Sequence, residues 1–226
     1  MNKGKKAHNQ YAIAGLAEKM GYDSVGELES VFLGKCEPYL PFTDYFCSTF
    51  GLNRNWLLEG KDTPYKNNEF SHVYPDEYLT EILESKPETI YFILCPSEYI
   101  EFFLVLKFSE LKYKIFQRTW HLGGDVGATG QGQIAGLRKL IADLYRNGFD
   151  CKRSGRILVE EVFRELFNGN VFPGSVIDST KENYWWEDFT DIYHRRPRAM
   201  DYEALYGKGF VDAQSIVQWY LERHED

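Results

Sequence analysis

Three β-prone runs follow one another between Thr89 and Trp120 with only a few residues between them, and that spacing constrains the fold more than any other feature. The first, residues 89–95 (TIYFILC), is apolar at almost every position, which predicts a strand covered on both faces. Pro96 and Ser97 turn the chain into YIEFFLVLKF, where Ile100, Phe102, Leu104, Leu106 and Phe108 alternate toward one face while Glu101 and Lys107 lie toward the other. Ser109 to Leu111 turns it again, into KYKIFQRTW, which also alternates. Parallel neighbours need crossovers of about a dozen residues, so these connections predict an antiparallel three-stranded meander.

A meander needs a covering layer, and apolar periodicity near 3.6 supplies the candidates. Tyr78, Leu79 and Ile82 mark a helix over residues 76–84, and Ile134, Leu137, Ile141 and Leu144 mark a longer one ended by Asn147-Gly148. Residues 155–167 repeat the pattern through Leu158, Val159, Val162, Phe163 and Leu166. Residues 184–189 (YWWEDF) begin a short helix whose Trp185 and Trp186 serve either a core or an interface. A last helix, residues 210–224, places Ala213, Ile216, Val217, Tyr220 and Leu221 on one side. Residues 76–226 therefore read as an α+β domain, and the chain as a whole as α+β.

Residues 1–65 have a different cadence. A helix over residues 12–20 ends at Gly21, Asp23 or Ser24 is placed to cap a second over residues 25–33, and Gly34 suits the left-handed turn that closes it. Pro41 opens a third helix with Phe42, Tyr45, Phe46 and Phe50 on one face. Leu16, Met20, Leu28, Val31 and Phe32 read as core. Gly34-Lys35 with Pro38, and above all the run from Phe50 to Gly60 (FGLNRNWLLEG), resemble the phage-repressor-like helix-turn-helix family of bacterial regulators, over residues 11–65. The resemblance implies a small all-helical domain closed by a buried Trp56, with double-stranded DNA as its partner. Residues 66–75 then read as a polar linker.

By that resemblance Ser24, Val25, Glu27 and Ser30 face bases, while Lys35 and the lysines of a basic N-terminal arm, Lys3, Lys5 and Lys6, face phosphate. The sequence departs from the family in its charge. Glu27 and Glu29 can only accept hydrogen bonds, chiefly from cytosine, and they repel phosphates. Ile13 stands where the family often has Gln, and the arm occupies the place of a full first helix. A helix-turn-helix fold turned to protein contacts is the alternative.

The net charge of −8 argues against general coating of nucleic acid, and residues 1–65 are not basic either, with 7 Lys/Arg against 8 Asp/Glu. Cys36, Cys47, Cys95 and Cys151 lie far apart with no Cys-x-x-Cys, which is neither a zinc pattern nor a disulfide framework and predicts reduced thiols. No apolar run reaches the length of about 18 residues that spans a membrane, and the start MNKGKKAHNQ lacks the apolar stretch of a signal peptide. A cytoplasmic protein is expected.

Catalytic signals are sparse: there is no Gly-x-Ser-x-Gly or His-Glu-x-x-His, and the histidines are scattered singly. No cofactor or metal is implied. The most glycine-rich run, His121 to Gln133, contains Gly127, Thr129, Gly130, Gln131 and Gly132 ahead of a helix, a candidate anion or ligand loop because free amides at a helix N-terminus hold anions. A flexible connection is the plainer reading. His194-Arg195-Arg196-Pro197-Arg198 is the densest basic run and suits a phosphate or an acidic partner.

These features lead to the expectation of a DNA-binding transcriptional regulator with a C-terminal dimerisation or signal-sensing domain. A protein-interaction module, and an enzyme of unknown class in residues 76–226, are the alternatives. Weak charge makes doubled contacts valuable, so a homodimer through Ile216, Val217, Tyr220 and Leu221 of the terminal helix is expected.

Overall fold

The structure, a computed structural model, describes residues 13–66, 71–97, 99–147, 150–190 and 201–224. Strands β1 (Thr89–Pro96) and β2 (Ile100–Lys107) pair antiparallel along their whole length, from Thr89 opposite Lys107 to Pro96 opposite Ile100. The third run is broken in two. Strand β3 (Tyr113–Ile115) pairs with the end of β2, and β4 (Trp120–Leu122) pairs with its beginning. Phe116 still donates its amide to the Leu104 carbonyl, but beyond it the chain leaves the ladder, and Gln117 donates its side-chain amide to the Phe167 carbonyl.

The sheet is mixed rather than a pure antiparallel meander. Strand β5 (Lys152–Ile157) lies parallel to β1, and β6 (Glu182–Asn183) pairs antiparallel with β5, giving the order β3-β2-β1-β5-β6. The helix expected from residue 155 therefore begins later, as α7 (Glu160–Phe167). Gly155 is why this polar segment can be a strand: a Cβ there would strike the Asn183 carbonyl and lie 3.0 Å from both Trp185 and Trp186.

Both faces of the sheet are covered. Ile90, Phe92 and Leu94 of β1 and Phe102, Leu104 and Leu106 of β2 pack under α6 (Ala128–Arg146), α9 (Trp185–Thr190) and α11 (Lys208–His224). Tyr91, Ile93, Cys95, Phe103 and Val105 alternate to the other side and meet α7 and α8 (Pro173–Ser179). That double cover accounts for the unbroken apolar character of TIYFILC. Each buried Phe or Leu stabilises by about 1.5–3 kcal/mol. Trp185 and Trp186 belong to this core, as do Ile82 of α5 (Leu79–Ser85) and Tyr202 and Tyr206 of α10 (Tyr202–Tyr206).

Upstream, α1 (Ile13–Lys19), α2 (Gly26–Phe32), α3 (Leu40–Phe50) and α4 (Arg54–Glu59) form a small helical unit around Ala17, Met20, Leu28, Phe42 and Phe50. Leu16 and Val31 join this core as expected, but three assignments need correction. Phe32 is half exposed, Tyr45 lies at the surface with its hydroxyl donating to the Met20 carbonyl, and Trp56 is 37% exposed rather than buried.

The unit is seated on the sheet rather than hung from it. Leu111 of the β2–β3 turn enters the helical core, Lys19 pairs with Glu110, and the Tyr65 amide donates to the Gly169 carbonyl at the end of α7. Part of the segment read as linker is also engaged: the Val73 carbonyl accepts from the Trp120 indole and the Gln133 amide, and Pro75 is buried. Among the described residues no helix is long and apolar enough to cross a membrane.

Candidate functional site

Helix α2 carries the residues singled out for base contact. Ser24, Val25 and Glu27 are exposed, with Leu28 alone turned fully inward. The N-cap position is Val25, so neither Asp23 nor Ser24 caps the helix as expected, and no side chain does. The Ser30 hydroxyl donates to the Gly26 carbonyl one turn back, which engages its proton within the helix. Lys35 is exposed and makes no ion pair among the described residues. Lys3, Lys5, Lys6 and the run His194–Arg198 lie outside the described residues.

The cations described in and just after the helical unit are largely paired with carboxylates. Lys19 pairs with Glu110 at 3.3 Å, Arg54 with Asp44 at 2.5 Å, Lys61 with Glu59 at 2.6 Å and Lys66 with Asp62 at 2.7 Å. Exposed pairs like these contribute little stability, but they neutralise cations that phosphates would otherwise engage. On the α2 side Glu27, Glu29 and Glu37 make no ion pair among the described residues.

Apolar exposure is the feature that sequence reasoning missed. Phe32 (50%), Leu33 (55%), Tyr39 (56%) and Leu40 (58%) are all more exposed than large hydrophobic residues of a packed unit need be. Phe32 and Tyr39 are linked through two inner rings in one ladder of contacts: Phe32 to Phe46, Phe46 to Phe42, and Phe42 to Tyr39, each step 6.1 Å between centroids. Phe42 is buried and forms the floor, whereas Phe32 and Tyr39 stand open at the two ends.

The glycine-rich run is a loop only over residues 123–127, between β4 and α6. Gly127 caps α6, and Thr129, Gly130, Gln131 and Gly132 already lie in its first turns. The glycines admit neighbours: a Cβ on Gly130 would fall 2.6 Å from Val126 Cβ, and one on Gly132 would fall 2.8 Å from the Tyr74 ring. Beside them a cleft of about 530 Å³ is lined by Tyr74, Asp76, Arg138, Lys139, Val217 and Tyr220 among others, with Lys139 paired to Asp76 at 2.8 Å.

On α11 the expected interface also needs correction. Val217 is 1% exposed and faces the body core, while Ile216, Tyr220 and Leu221 are partly buried. Trp219 is the exposed aromatic of this helix, with the Arg223 guanidinium 4.1 Å above its ring.

The body holds polar clusters that the sequence did not announce. Arg164 of α7, itself partly exposed, donates to both carboxylate oxygens of the buried Glu101, which joins that helix to β2. Tyr206 donates to Asp188 at 2.6 Å, and burial together with that bond pushes the phenol well above its ordinary range. The Ser154 hydroxyl donates to Glu182 at 2.6 Å and holds its carboxyl below the usual range. A cleft of about 810 Å³ at the end of β1 and β4 brings together His121, Asp125, Lys208 and Asp212, but Lys208 and Asp212 pair at 2.6 Å. Burial pushes the Cys95 thiol up, away from the thiolate a nucleophile needs.

No family model, curated protein or solved structure matches this chain.

Proposed function

We infer that this chain is a regulatory protein in which a helical unit of helix-turn-helix type, presented by an α+β body, works by docking on another protein. The observation that carries the reading is the commitment of cations: among the described residues of the helical unit and its exit, Lys19, Arg54, Lys61 and Lys66 are each paired with a carboxylate, and Lys35 is the one left outside such a pair. Duplex binding gains its affinity largely by releasing counterions as cations meet phosphates, and this surface has few to offer. Exposed apolar side chains beside α2 supply what protein docking uses instead.

Reading of double-stranded DNA is the second possibility, favoured by the solvent-open face of Ser24, Val25, Glu27 and Ser30 next to Lys35. In either reading a homodimer through the body would use Trp219, with Ile216 and Tyr220 beside it, in place of Val217. Selection of random duplexes by the purified chain at low salt decides between the two. Docking on protein predicts no enriched sequence from a folded sample, and an enriched motif lost on changing Val25 and Ser30 overturns it.

A further inference from the structure

We propose that the aromatic ladder of the helical unit is the seat for a basic amphipathic helix of a partner protein. The inference rests on the docking reading and names both the surface and the occupant. The rungs Phe32, Phe46, Phe42 and Tyr39 are spaced at 6.1 Å. Phe42 is buried and Phe46 partly buried, so a partner meets the open ends, Phe32 with Leu33 and Tyr39 with Leu40, and an amphipathic helix lays the apolar anchors of one face into such a patch.

Charge selects the sign of the occupant. Glu29 lies three residues before Phe32 and four before Leu33, which puts it on the same side of α2. Glu37 lies two residues before Tyr39, at the other end of the ladder. Glu27 adds to the acidic side, against Lys35. A second copy of the chain would bring this acidic rim against itself, and like charges across an interface oppose association. Phosphates are repelled by the same carboxylates and gain nothing from the rings. Lysines or arginines flanking apolar anchors satisfy both features of the surface.

The test uses the full chain and a synthetic peptide of Leu at helical spacing with Lys elsewhere, alongside the same peptide with Glu for Lys. Binding is followed by anisotropy of the labelled peptide and by the reaction rate of Cys36, an exposed thiol between Lys35 and Glu37. The proposal expects saturable binding of the Lys peptide, slower Cys36 reaction in the complex, and no binding of the Glu peptide. Phe32→Ala with Tyr39→Ala should weaken binding about ten-fold or more with the fold retained, as removal of central aromatic anchors does. Glu29→Gln with Glu37→Gln should weaken it less and flatten its salt dependence.

Equal affinity of the Phe32→Ala, Tyr39→Ala variant overturns the proposal, because binding then lies elsewhere. So does self-association at micromolar concentration that these changes abolish, which makes a second copy the occupant. Binding that arises only after residues 1–12 are removed overturns it as well, because the chain's own first residues then hold the site. If the peptide fails and duplex selection also fails, the ladder is refuted while docking through another face stands; if duplexes are enriched, the docking reading itself falls.

Discussion

Gly51 and Gly34 close α3 and α2 with nearly the same backbone, at φ +65° and +66°, yet their surroundings differ completely. A Cβ on Gly34 would meet nothing within 4 Å, whereas one on Gly51 would fall 2.7 Å from the Tyr113 carbonyl oxygen and 3.3 Å from its amide nitrogen. Gly34→Ala therefore carries only the left-handed backbone cost, about 1–2 kcal/mol. Gly51→Ala carries the same cost and must also push α3 off β3, because backbone atoms cannot rotate away. That movement loosens Leu111 in the helical core, which is worth about 1–2 kcal/mol more at partial burial. Urea unfolding followed by tryptophan fluorescence should place Gly51→Ala about 2–4 kcal/mol below the natural chain with an unchanged slope, and Gly34→Ala about half as far. Equal losses for the two variants would refute the claim that the helical unit is seated on the sheet at this point.

Val217→Asp should abolish folding because it buries a carboxylate without a partner, while Trp219→Ala should keep the melting temperature within a few degrees, as read by circular dichroism. Glu101→Gln should cost about 2 kcal/mol in denaturant unfolding, at the low end for a buried pair because Arg164 is 41% exposed and partly screened. Tyr206→Phe should cost about 1 kcal/mol at neutral pH. Its pH dependence follows from the raised phenol: the stabilisation is complete below the ordinary tyrosine range near pH 10 and is lost above it, so the difference between natural chain and variant should shrink only in alkali. A thiol reagent should label Cys36 fast in the native chain and Cys47, Cys95 and Cys151 only on unfolding, which mass spectrometry can count.

The parts of the fold that were legible in the sequence are those where one pattern has one physical meaning. An apolar run such as TIYFILC demands cover on both faces, and short turns to YIEFFLVLKF force antiparallel pairing. Strand β5 was hidden because KRSGRI carries no apolar signal. Its buried Ser154 is satisfied by Glu182, its Arg156 by the Ile177 carbonyl, and both partners lie more than twenty residues away. Helix α11 was legible as a helix but not in orientation, since Ile216, Val217, Trp219 and Tyr220 give it apolar side chains over a wide arc and only packing against α6 turns Val217 inward. At the candidate site, periodicity placed Phe32 with Leu28 on one side of α2, yet the core is filled by Phe42 and Phe50 before Phe32 is needed. The acidity of α2 was visible from Glu27 and Glu29; the pairing of Lys19 with Glu110 across the seam was not.

We propose that charge, rather than shape, keeps this helical unit off DNA and leaves it to protein. Anisotropy titration of labelled duplexes at low salt, for the natural chain and for Glu27→Lys with Glu29→Lys, tests it most directly. The account predicts no saturable binding by the natural chain, and binding by the folded variant that weakens steeply as salt rises. Saturable, sequence-dependent binding by the natural chain that survives physiological salt would contradict it.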